Sequence, residues 1–412
     1  MILPLLLLAA CSPFSNDNDD TGHDCGPGTH WDGEYCLPDE DTDTDTDTDT
    51  DADSDTDADS DADADADSDS DTDADADTDA DVDYDVCDDG IAPWTTLQAA
   101  VDAAAEGDSI AVCAGTWDSV DLGDRELTLW GPDGAEATTI VGRGDTPAVA
   151  VDGGDVELYG LTLMGLGSSH GAALYAYDAS VYLHDALVTQ GAAPVLVYHV
   201  RGTGRYEDLL FADNSSSTAA LRVFVDADIR HCVFRDNAGT GSLIDLGSEM
   251  GSTYRFENNL AYANEFEGEH VFVFATGGTV SNNVFYGNIN TTSMPTSGTA
   301  VIYDGVSYFG DNIIQANASP GSFLSTRDMS YDSGVRYNVW YDNTGGTSVS
   351  GSHNLEVDPR MVDPVGGDFT LQTPQSPCID AGDPASTYND PDGSRNDMGA
   401  FGGPGGAWTP SY

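Results

Sequence analysis

LLFADN (209–214), CVFRDN (232–237), NLAYAN (259–264), NVFYGN (283–288), NIIQAN (312–317) and NVWYDN (338–343) decide the architecture of this chain. Their last residues, Asn214, Asn237, Asn264, Asn288, Asn317 and Asn343, recur at intervals of 23, 27, 24, 29 and 26 residues, and four of the segments also begin with Asn, at Asn259, Asn283, Asn312 and Asn338. A period this short marks a solenoid, because one repeat cannot bury its apolar face alone and must stack on its neighbours. Asn tolerates the left-handed backbone needed where a strand bends sharply. The repeat therefore reads as a coil of short strands with Asn at the bends, bonded from rung to rung.

Between these segments lie AALYAYD (172–178), PVLVYHV (194–200), AALRVFV (219–225), SLIDLGS (242–248), HVFVFAT (270–276) and TAVIYDG (299–305), whose alternation reads as strands with one face inward. Upstream, TTLQAAVDAAAEGDSIAVCAGTW (95–117) predicts a helix followed by a strand. Thr95 and Gln98 have capping-box spacing; Leu97, Ala100, Val101 and Ala104 share an apolar face; Gly107 suits the helix end. The repeat N-x-aliphatic-x-x-N resembles that of right-handed parallel β-helices of the pectate-lyase-like superfamily, over roughly residues 88 to 403. SPCIDAGDP (376–384) with NDPDGSRNDMGAFGG (389–403) is similar to a closing signature of that superfamily. The resemblance implies an all-β solenoid whose open end is plugged by the N-terminal helix. It leaves activity open, since the fold hosts lyases, hydrolases, adhesins and scaffolds.

Twelve basic residues, all Arg, face 74 acidic ones. No basic patch is available for phosphate, so nucleic acid is excluded as a partner class. Asp occupies every odd position from 41 to 85, 23 residues in all, within a net charge of −62. This tract, alternating Asp with Thr, Ala or Ser, has too few apolar residues to offset ordering entropy and repels itself, which predicts a disordered linker over 38–86. It lacks the Gly turns and fixed bidentate ligand of a tight Ca²⁺ loop. The expected order is thus a leader (1–10), a Cys-bracketed module (11–37), the linker (38–86), the β-helix (87–346) and a C-terminal cap region (347–412).

MILPLLLLAAC (1–11) resembles a bacterial lipobox, which implies lipidation of Cys11 and a cell-envelope, membrane-anchored protein; the run is too short to span a bilayer. In an exported chain disulfides are allowed. Cys25 with Cys36, around CGPGTHWDGEYC, and Cys87 with Cys113, around the helix, are the preferred pairs; Cys232 and Cys378 are expected free and buried.

In enzymes of the resembled superfamily the cleft follows the outer face of one parallel sheet. Taking parity from charged residues, Tyr177, His199, Arg222 and Asp245 fall into one outward column at intervals of 22, 23 and 23, with Tyr175 beside them. An aromatic, a His, an Arg and a carboxylate in line suit sugar stacking, and His199, Arg222 and Asp245 are the candidates for proton abstraction. The alternative is four polar residues on a solvated face. Asp390, Asp392 and Asp397, with Gly393 for the turn, partly resemble a Ca²⁺ loop, and equally suit a structural cap. Two functions stay open. One is a carbohydrate-binding or adhesive module, favoured by exposed aromatics such as Tyr175, Tyr177 and Tyr303. The other is a polysaccharide lyase or glycoside hydrolase.

Overall fold

The computed structural model describes residues 29–31 and 36–38, and residues 85–410 apart from 89, 91, 168–169, 248–251, 276, 295–298, 304–305, 322, 328–333 and 346–350. Two units are separated within the Asp tract, at Ala76 and Asp77. In the first, Thr29–Trp31 pairs antiparallel with Cys36–Pro38, which sets Trp31 opposite Cys36. Cys11, Cys25 and nearly all of the linker lie outside the described residues.

The second unit is a parallel β-helix with three principal sheets. Sheet A contains Asp108–Ala111, Glu126–Trp130, Asp155–Tyr159, then 180–184, 203–207, 226–230, Tyr254–Glu257 and Gly278–Ser281. Sheet B holds the Asn-bounded segments, including Leu260–Tyr262, Val284–Tyr286, Ile313–Gln315 and Val339–Tyr341. Sheet C stacks 174–177, 195–200, 219–223, Ser242–Leu246 and Phe272–Phe274. Inside the coil, Phe211 stacks on Phe234 at 4.9 Å, and Phe256, Phe285 and Phe309 continue the file.

The corners explain the sequence. From sheet A to sheet B the chain turns through one left-handed residue per rung: Asp208, His231, Asn258, Asn282, Asp311 and Tyr337 have φ between 52° and 59°. Asp213, Asp236, Ala263, Gly287, Ala316 and Asp342 do the same at the far end of sheet B. The repeated Asn is therefore not the left-handed residue, as the sequence suggested, but the one after it. The bend aims its carboxamide into the coil, where two ladders form. Asn259, Asn283, Asn312, Asn338 and Asn354 make one, with Nδ2–Oδ1 distances of 3.1, 3.0, 3.0 and 3.2 Å. Asn214, Asn237, Asn264, Asn288, Asn317 and Asn343 make the other, at 2.8–3.0 Å. Buried Cys232 occupies the first ladder's next position, its N–H donating to Asn259 Oδ1 at 2.9 Å. The ladder runs on to Asn354, past the boundary at 346 read from the fading period.

In the first ladder Asn259, Asn283, Asn312 and Asn338 are each followed by two apolar residues, such as Val284 and Phe285. Phe285 points into the coil, whereas Val284 packs outward with Leu260, Ile313 and Val339 beneath the C-terminal region, through Met361, Phe369, Cys378 and Met398. Sheet B is covered on both faces, which is why its strands do not alternate. The C-terminal segment also straps the corner between sheets A and B. Arg395 lies over Tyr337; Asp311 accepts from the N–H of Asp383; Asn282 and Asn258 donate to carbonyls of Asp397, Ala400 and Gly402; His231 meets Gly405.

At the other end the helix spans Leu97–Ala103, and its N-cap is Thr96, which accepts from Ala99 N–H at 3.3 Å, rather than Thr95. Gln98 bonds instead to Asp102 and to the backbone of Asp121. Leu97, Ala100 and Val101 join the solenoid core, and Cys87 is bridged to Cys113. Among the described residues the pairing already includes Asp85, whose N–H reaches Ala111 O at 3.0 Å, two residues before the boundary read from sequence.

The ladder sets a test. Asn312 is fully buried; its Oδ1 accepts from the Asn283 N–H and Nδ2, and its Nδ2 donates to Asn338 Oδ1 and Val280 O. Asn312→Leu leaves Asn283 without its acceptor and is expected to cost about 1–3 kcal/mol in urea unfolding. An unchanged unfolding midpoint would contradict this account.

Candidate functional site

The column expected from sequence does not form on sheet C. Register pairs Ala193 with Ser216 but Val195 with Ala219, so an extra residue enters the later rung and inverts the parity. The outward column is Tyr175, Tyr198, Arg222 and Asp245. Tyr177 also faces outward, where its hydroxyl accepts from Arg201 at 2.6 Å, but it is one column over from Arg222. Arg222 and Asp245 do meet, at 3.1 Å, with the guanidinium over Phe224. His199 is inside the solenoid. It is fully buried, 2.7 Å from the Tyr206 hydroxyl and 3.1 Å from Ala179 O, and burial lowers its pKa to about 4. It cannot touch a ligand on the sheet C face. The side chain of Tyr303 lies outside the described residues.

The C-terminal carboxylates are occupied by local backbone. Asp390 accepts from Gly403 and Asp397 N–H groups, Asp392 caps Ser394, and Asp397 accepts from Asp380 N–H at 2.6 Å. Among the described residues their ligand atoms do not form a convergent group of three, and the hydrogen bonds they make are those of a structural cap. Arg395 serves the same turn by donating to Ala381 and Gly382 carbonyls.

The outer face of sheet A holds what parity reasoning missed. Arg205, Asp228 and Arg255 form one column, and Glu207, Arg230 and Glu257 form the next. Opposite charges are neighbours both along each strand and between rungs, an arrangement that offsets the desolvation of each group. Glu207 takes Arg205 at 2.5 Å and Arg230 at 2.8 Å. Burial alone would raise its pKa, but the two guanidinium groups outweigh burial and hold it below the carboxylate range.

Arg255 ends this checkerboard, because the next rung offers Thr279 and Ser281 instead of an acid. It is exposed and makes no ion pair among the described residues. It lines two grooves, of about 400 and 470 Å³. The first also holds Arg230, Glu257, Tyr308 and, from the strap, Tyr388 and Pro404. Burial raises the Glu257 carboxyl above its ordinary range, against the pull of Arg255 and of hydroxyls from Thr279 and Ser281 at 3.2 and 3.3 Å. Tyr308 stacks on Tyr388 and donates to Asp311 at 2.6 Å; burial first, then that carboxylate, keeps its hydroxyl protonated. A guanidinium aimed at solvent beside a carboxyl of raised pKa and two stacked rings can take an anionic sugar and exchange a proton with it. The residues were readable in part: TGRYEDL (203–209), DADIRHC (226–232) and STYRFEN (252–258) alternate just before the bends. The strap that walls the groove comes from more than a hundred positions away, beyond any local pattern.

Buried His199 and Asp311 give opposite pH signatures. The unfolded His199 binds a proton near 6.5 and the folded one near 4, so its contribution rises with pH across that window and is lost on acidification. Asp311 is raised from 3.8 to about 7, chiefly by burial, so its contribution is complete below about 4 and is lost as pH rises to 7. Relative to wild type, His199→Gln should lose stability increments as pH rises from 4 to 6.5, and Asp311→Asn should gain them from 4 to 7. The full change amounts to about 3 kcal/mol for His199 and about 4 kcal/mol for Asp311. Denaturant melts at a series of pH values check both signs; parallel curves for all three proteins refute the assignment.

No family model matches this chain, and no curated protein matches it. Among solved structures, pectate lyase Pel9A is similar at 15% identity over 75% of this chain and 91% of that one, with a TM-score of 0.45. A pectin methylesterase from carrot is 15% identical over 66% and 88%, with a TM-score of 0.30. The alginate lyase AlyGC is 12% identical over 68% and 56%, with a TM-score of 0.27.

Proposed function

We propose that the sheet A grooves bind an acidic polysaccharide, in a protein held at the bacterial cell envelope by a lipid on Cys11. The observation that carries the ligand class is Arg255. In a chain of net charge −62, an exposed guanidinium placed between two grooves, with no carboxylate of the described residues in ion-pair contact, is an economical anchor for a uronate. Tyr388, half-buried at the groove wall and backed by the buried ring of Tyr308, supplies the aromatic contact that sugar faces use. Successive sugars would run along the stacked rungs, and a divalent cation would bridge their carboxylates to the acidic surroundings.

Cleavage is the second reading, and Glu257 favours it. A carboxyl whose pKa is raised by burial can accept the proton next to a uronate carboxylate while Arg255 neutralises that carboxylate. In elimination that proton loss expels the glycosidic oxygen from the β-carbon and leaves an unsaturated end; hydrolysis would instead use protonated Glu257 as the acid on the leaving oxygen, with water adding at the anomeric carbon.

The test is a panel of uronic-acid and neutral polysaccharides, with and without Ca²⁺, presented to the full chain. Retention of an acidic polymer, weakened about tenfold or more by Arg255→Ala and spared by Arg222→Ala, is the expected result. Loss with Arg222→Ala or Tyr177→Ala instead moves the site to sheet C. Unsaturated products or new reducing ends, abolished by Glu257→Gln, establish the enzymatic reading. For the anchor, Cys11→Ser is expected to release the protein from the membrane fraction, and unchanged association refutes lipidation.

A further inference from the structure

Where the strap ends, the corner between sheets A and B brings three donor groups of different kinds together. Glu207 closes its sheet A strand, Asp208 is the left-handed corner residue after it, and His231 is the corner residue of the next rung. One ligand atom from each lies within 4.8 Å of the others. His231 Nδ1 is 3.8 Å from Glu207 Oε1 and 3.7 Å from Asp208 Oδ1.

The orientation of the imidazole is fixed from outside the cluster. Its Nε2 lies 2.9 Å from the carbonyl of Gly405, which can only accept, so Nε2 carries a proton and donates it, and Nδ1 is the nitrogen that faces the carboxylates. Trp408 stacks on the ring at 5.1 Å and 18° and holds its plane. An N–H donated to a backbone carbonyl from the far nitrogen is the usual support of a metal-bound imidazole. Glu207 is supported too, by Arg205, Arg230 and the Tyr182 hydroxyl at 3.2 Å.

We propose that Glu207, Asp208 and His231 bind a divalent transition-metal ion of the zinc or cobalt kind. One imidazole nitrogen with two carboxylate oxygens suits such ions, whereas Ca²⁺ takes six to eight oxygens. The ion would clasp the strap to the solenoid, because the ligand His231 also carries Gly405 and Trp408. This assignment is independent of what the grooves bind.

The experiment uses the full chain in excess Ca²⁺, so that the Asp tract is occupied. Zn²⁺ is titrated by calorimetry, Co²⁺ by its visible ligand-field bands, and thermal midpoints are recorded with each metal. Asp208→Asn and His231→Asn are suitable variants, since Asn258 and Asn282 hold equivalent corner positions with φ of 54° and 52°. Saturable Zn²⁺ binding, nitrogen-ligated cobalt bands and a raised midpoint are expected, with affinity about tenfold or more lower in both variants while they stay folded. Binding equal in wild type and variants would assign the metal to the tract and overturn the site. An absence of saturable Zn²⁺ and Co²⁺ binding in this excess of Ca²⁺ would overturn the transition-metal site.

Discussion

A carboxamide inside an apolar coil must have its hydrogen bonds made, and the structure follows from how these Asn side chains make theirs. Each interior ladder oxygen accepts from both the side chain and the backbone N–H of the Asn one rung earlier, and each Nδ2 also reaches a backbone carbonyl on that rung. Such satisfaction exists only when rungs stack in register at both corners of sheet B. The preceding residue has to be left-handed, in the first ladder the two residues that follow are buried on opposite faces, and loop-length variation is pushed to other parts of the rung. A half-made ladder costs more than none.

The same constraint explains what could be read from the sequence. Asn bonded to Asn leaves a sharp period, so the solenoid, sheet B and the buried thiol of Cys232 were legible. The side of each corner on which Asn sits was not, since Asp, Ala, Gly, His and Tyr all occupy the left-handed position here. Sheet C has no ladder to pin it, and one extra residue between Ser216 and Ala219 was enough to put Tyr198 in the place assigned to His199. Sheet A stays in register but lacks a repeated residue type. Its alternation of Arg, Asp and Glu becomes a pattern only when rungs are superposed.

Charge is distributed with similar economy. Three of the twelve Arg residues, Arg205, Arg230 and Arg255, occupy successive rungs of one face, and the first two are matched by Glu207. Their pairing makes the face compact, and the break in alternation after Arg255 makes it receptive. A surface of alternating charge is a poor general binder, because each group is already satisfied by its neighbour; selectivity arises at the position where the alternation stops.

The strap changes the kind of object this solenoid is. Stacked repeats ordinarily behave as a row of dominoes, each aware only of the next. Here residues 395–408 return along the corner from Tyr337 to His231, and the contact of His231 with Gly405 spans 174 positions. The last turns are thereby laced to the middle ones and cannot peel away singly. The chain must be finished before it can be fastened, so the terminal segment works as a seal on the assembled coil, and its release would loosen several turns in a single event.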